Sequence, residues 1–69
     1  MKIIYKDKER FKNLIFKNGY NPSSLSLAIG MHRQYISQSL RNETIGARPA
    51  KEIADKLQVR YEELFEIIE

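Results

Sequence analysis

The chain has no cysteine and a single histidine, His32, in 69 residues. It therefore has no disulfide framework, no thiolate metal site and no histidine cluster. No apolar run approaches the roughly 20 residues of a membrane span, and no apolar leader precedes a small-residue cleavage site. Those absences predict a soluble, cytoplasmic chain. Internal repeats, Gly/Ser linkers and low-complexity tracts are missing as well, so residues 1–69 read as one domain. A domain of this length buries only roughly 60% of its unfolded surface, and its stability is correspondingly thin. The G-x-S-x-G, P-loop, H-E-x-x-H and EF-hand patterns are all absent. The expectation is a protein that is not an enzyme and has no cofactor.

What is present is charge, unevenly placed. Residues 1–48 hold nine Lys and Arg against three Asp and Glu, a net of +6. Residues 49–69 hold three against six, a net of −3. One electropositive pole beside an acidic one is the footprint of a nucleic-acid binder with a separate, non-binding end. A solvated surface with chance imbalance gives the same numbers.

Apolar spacing predicts five short helices and no sheet, an all-α bundle. Met1 to Lys6 is basic and β-prone but has no evident partner strand, so residues 1–6 read as a flexible arm or a frayed end whose Ile3 or Ile4 docks on the core. Asp7 fits the N-cap of a helix running to about Asn18, with Phe11, Leu14 and Ile15 inward. Its Lys8, Lys12 and Lys17 read as solvated face, from which a subset can sit over a phosphate. Asn21 and Pro22 read as N-cap and first position of the second helix, with Tyr20 and Leu25 at staple spacing. That helix puts Leu25, Ala28 and Ile29 on one face beside small Ser26, and Gly30 supplies a positive-φ turn. A third helix starts at His32 or Arg33 and runs to Arg41, burying Ile36 and Leu40. A fourth begins near Gly46 or Ala47, with Ala50, Ile53, Ala54 and Leu57 inward. The last covers residues 60–69, with Tyr61, Leu64, Phe65 and Ile68 as its stripe and Ile67 beside it.

Residues 21–42, and within them Leu25, Ser26, Gly30, Met31, His32 and Ile36, resemble the core of the lambda-repressor-like, Cro/CI-type helix-turn-helix family of DNA-binding regulators. The run Ile45, Gly46, Ala50, Ile53, Ala54 and Leu57 is similar to the same family's fourth helix, so the resemblance spans about residues 6 to 66. It departs at Pro22, where many members carry a glutamine that reaches a phosphate. Contacts there fall instead to backbone N–H groups, Ser23 and Ser24.

The resemblance implies a transcriptional regulator of the short, phage-like Cro repressor kind that places helix 33–41 in the major groove of double-stranded DNA. Arg33 suits guanine O6 and N7, and Gln34 and Gln38 suit adenine N6 and N7. Ser23, Ser24, Tyr35, Ser37, Arg41, Asn42 and Arg48 are the expected backbone contacts. Tyr35 has a second reading, half-buried packing beside Ile36. Leu64, Phe65, Ile67 and Ile68 exceed what one short helix needs to close a core, which predicts a homodimer or partner contact there. The alternative function is an interaction module of the same fold, such as an antirepressor that binds a partner repressor protein.

Overall fold

A computed structural model describes all 69 residues, Met1 to Glu69. The basic N-terminal segment does find a partner: Lys2–Tyr5 forms strand β1, and Phe65–Ile68, at the opposite end of the chain, forms strand β2. They pair antiparallel with Lys2 opposite Ile68 and Tyr5 opposite Phe65. On its other side β1 makes an isolated bridge from Ile3 to Ile45, where the Ile45 N–H donates to the Ile3 carbonyl at 3.0 Å. Of the two readings of this segment, the flexible arm gives way to the docked end: Ile3 is buried in the core and the strand is held from both sides, so the fold is not strictly all-α. Two four-residue segments far apart in sequence carry no local pairing signal, which is why neither reads as a strand alone.

Between the strands lie five helices: α1 Lys8–Lys17, α2 Pro22–Ala28, α3 Tyr35–Asn42, α4 Ala47–Leu57 and α5 Tyr61–Leu64. The Asp7 side chain caps α1 by accepting from the Arg10 N–H at 3.1 Å. Asn21 and Ser24 form a reciprocal capping box around α2, with Pro22 in its first turn. Gly30 adopts φ +79, as the turn after α2 requires. α4 carries the inward stripe Ala50, Ile53, Ala54 and Leu57. The last segment departs from expectation, since the helix ends at Leu64 and the chain turns extended at Phe65. β-branched Ile67 and Ile68 and aromatic Phe65 suit a pleated pair better than another helical turn once β1 is beside them.

The core joins all of these elements. Ile3, Tyr5, Phe11, Ile15, Leu25, Ile36, Ile53 and Phe65 are among its buried members. Tyr5, Phe11 and Phe65 form an aromatic cluster with ring centroids 4.9 to 6.2 Å apart. The radius of gyration, 10.7 Å, matches the value of about 11 Å for a compact domain of this length. No helix is long and apolar enough to cross a membrane.

Candidate functional site

The orientation of α3 is set by two buried serines. Ser26, fully buried on α2, donates from Oγ to the Pro22 carbonyl at 2.6 Å and accepts the Ile36 N–H at 3.0 Å. A free N–H in the first turn of α3 is thereby satisfied by α2, and the two helices pack directly against each other. Ser39, one turn on, donates to the Ile36 carbonyl at 2.9 Å and lies 2.6 Å from the Tyr5 hydroxyl. Because the serine proton is used on Ile36, the tyrosine is the donor of that pair. Burial pushes the Tyr5 phenol up to about 12, against a smaller lowering by Ser39.

With Ile36, Ser39 and Leu40 turned inward, α3 presents Ser37, Gln38, Arg41 and Asn42 outward. Arg33 and Gln34 are exposed immediately before it, in a turn rather than in the helix, which begins at Tyr35 and not at the expected His32 or Arg33. Gln34 is the N-cap but gives no side-chain cap. None of Arg33, Gln34, Gln38 and Arg41 spends its side chain on a hydrogen bond or ion pair within the chain. Their exposure brings together the three expected base-reading residues and one expected backbone contact.

A shallow depression lies on each flank of this ridge. One, of about 430 Å³, is lined by Lys8, Lys12, Pro22, Ser37, Leu40 and Arg41. The other, of about 230 Å³, is neutral and includes Tyr35, Gln38, Asn42, Thr44 and Gly46. On the neutral flank the Tyr35 hydroxyl accepts the Gly46 N–H at 3.0 Å, which neither reading of that residue foresaw. Gly46 leaves room for it: a Cβ there would stand 3.2 Å from the Tyr35 oxygen and 3.3 Å from the Pro49 ring, so the hydroxyl would have to give by a few tenths of an ångström.

Other expected contacts are differently engaged. Arg48 pairs with Glu52 and reaches the Ile29 carbonyl at 3.5 Å and the Met31 sulfur at 3.0 Å, so its guanidinium braces the turn after α2. The Ser24 hydroxyl closes the α2 capping box, and Ser23 is half-buried. Ala28, expected inward, is exposed. Leu64 and Phe65, expected at a partner interface, are buried in the domain's own core, whereas Ile67 and Ile68 remain exposed on β2.

Sequence reasoning did not find Ser39 and Tyr5 as the pair that positions α3. The available signal was a serine three residues after Ile36 on the inward face. No cluster of His, Cys, Asp and Glu is arranged to hold a metal ion. Comparison of the chain with protein-family models, with characterised proteins and with solved structures returns no match.

Proposed function

We propose that the protein is a sequence-specific DNA-binding transcriptional regulator of the repressor type, with α2 and α3 as its helix-turn-helix and α3 lying in the major groove. The observation that carries this reading is the ridge of Arg33, Gln34, Gln38 and Arg41. These are four long donor side chains, exposed and unspent: Gln38 and Arg41 on a helix whose opposite face is locked by Ser26 and Ser39, and Arg33 and Gln34 in the turn that leads into it. Chemistry of this kind reads base edges: arginine pairs bidentately with guanine, and glutamine with adenine. The flanking depressions supply room for the phosphate walls of the groove.

One copy covers roughly 600 to 1,000 Å² of DNA, so tight regulation calls for two copies on half-sites one helical turn, about 34 to 36 Å, apart. The pairing surface in this reading is the free edge of β2, with Ile67 and Ile68.

The test is selection of duplexes from a random pool, followed by binding measurements on the enriched site and a scrambled one. A defined site should emerge, and Arg33→Ala or Gln38→Ala should each cost about 1 to 3 kcal/mol on it and relax preference at one position. Failure to enrich any sequence, with binding to both duplexes weak and alike, would overturn the proposal in favour of a protein partner on the same face.

A further inference from the structure

We propose that the basic flank of α3, built from Lys8 and Lys12 on α1 with Ser37 and Arg41 on α3, is the seat of a DNA backbone phosphate. The α4 side, by contrast, contributes no charge to binding. This rests on the DNA reading above and adds an anchoring site from α1, outside the helix pair.

Three cations and a hydroxyl converge on one depression of about 430 Å³ immediately beside the ridge. Arg41 has no acidic partner. The acids near the two lysines hold them loosely: Lys8 is 3.9 Å from Glu43, and Lys12 is 4.0 Å from Glu9. Both carboxylates are largely in solvent, with side chains 73% and 82% exposed, and neither lines the depression. Exposed pairs at such distances are worth little and are readily exchanged for a better anion. A phosphate in the depression would take hydrogen bonds from Nζ of either lysine, the Arg41 fork and the Ser37 hydroxyl, a charge-assisted donor set.

The opposite flank offers no such charge. Its lining has no lysine or arginine, and Arg48, the first cation of α4, is paired with Glu52 and turned onto the Ile29 carbonyl. DNA held this way is gripped electrostatically along one strand and only by neutral donors along the other.

Salt dependence separates the two flanks, because each neutralised phosphate contributes about 0.9 to the slope of log affinity against log salt. Binding of the full chain is measured on a fluorophore-labelled duplex carrying the selected site and on its scrambled counterpart. For Lys8→Gln/Lys12→Gln the slope should fall by about one and affinity by roughly tenfold at 0.1 M salt, equally on both duplexes. The double replacement Lys8→Arg/Lys12→Arg should restore it, and Arg48→Gln should leave the slope unchanged. Melting curves of all variants identify any loss that comes from unfolding. If the wild type prefers its site while the lysine-to-glutamine variant keeps the full slope, or if Arg48→Gln lowers it, the basic-flank assignment is overturned and the DNA reading stands. If the wild type binds neither duplex, both are overturned.

Discussion

The Tyr5 hydroxyl stands 2.6 Å from Ser39 Oγ, thirty-four positions away, and so ties the N-terminal strand to the inward face of α3. Removing that hydroxyl in Tyr5→Phe leaves Ser39 still bonded to the Ile36 carbonyl, so the expected loss is one buried hydrogen bond, about 0.5 to 1.5 kcal/mol. For a domain of this size that corresponds to a Tm lower by roughly 4 to 8 °C per kcal/mol. The same residue sets a pH dependence. Folding raises the phenol from 10.0 to about 12, so the native state keeps a proton that the unfolded chain releases. Its contribution is fully present below pH 10 and is lost as the pH rises to about 12. Melting curves across that window should fall more steeply for wild type than for Tyr5→Phe. Parallel curves would show that the phenol does not titrate differently on folding.

Ile3 tests the strand that replaced the expected arm. It is 5% exposed, sits opposite Ile67 in the sheet and accepts the Ile45 N–H on its other side. Ile3→Ala should cost about 2 to 5 kcal/mol, measured by denaturant unfolding. A flexible arm would tolerate the change within error.

How far the fold could be read ahead depends on whether the causes were local. Asp7, Asn21 with Pro22, and Gly30 are caps and turns whose physics lies within a few residues, and all three stand where expected. The Lys2–Tyr5 and Phe65–Ile68 pair is fixed by a contact spanning the whole chain, and such register leaves no trace in either short segment. α3 ends at Asn42, within a residue of the expected Arg41, although Glu43 takes φ 63 at the C-cap, a position that glycine usually signals. Within the site, the outward placement of Gln38 and Arg41 follows from the burial of Ile36 and Leu40, whereas Arg33 and Gln34, expected on the helix, are exposed in the turn before it. Arg48, expected over a phosphate, pairs instead with Glu52 one turn along α4. The convergence of Lys8 and Lys12 on α3 was not legible, because it depends on how α1 crosses the bundle.

Ser26 predicts a coupled loss. In Ser26→Ala the Ile36 N–H, buried and bonded only to Ser26 Oγ, is left without a partner, a cost of about 1 to 3 kcal/mol. The Ile36 amide should also show faster hydrogen exchange than amides later in α3. Unchanged protection at Ile36 would mean that another acceptor holds the start of the helix.

Glu52 offers the converse of the basic-flank experiment. Arg48 is held by Glu52 across one turn of α4. Glu52→Gln removes the acid and should release the guanidinium to the solvent beside the neutral flank. The expected outcome is tighter binding to every duplex, with the salt slope steeper by about one. A slope that does not change would show that Arg48 stays on the Ile29 carbonyl and lies out of reach of DNA.

The last prediction concerns assembly, and the strand changes its form. β2 pairs with β1 along one edge only, leaving the other edge with free N–H and C=O groups. Along it Ile67 is 48% and Ile68 38% exposed, and neither proline nor lysine within β2 guards against pairing. A second copy laid antiparallel on that edge would extend the sheet to four strands and cover both isoleucines. The expected behaviour is a concentration-dependent dimer in sedimentation, strengthened by duplex carrying two half-sites. Ile67→Lys places an inward-leaning charge on the edge and should give a monomer with little change in Tm, since the side chain is half-exposed in the single domain. A wild-type protein that stays monomeric at every concentration, on and off DNA, would remove the edge as an assembly surface and confine regulation to one half-site.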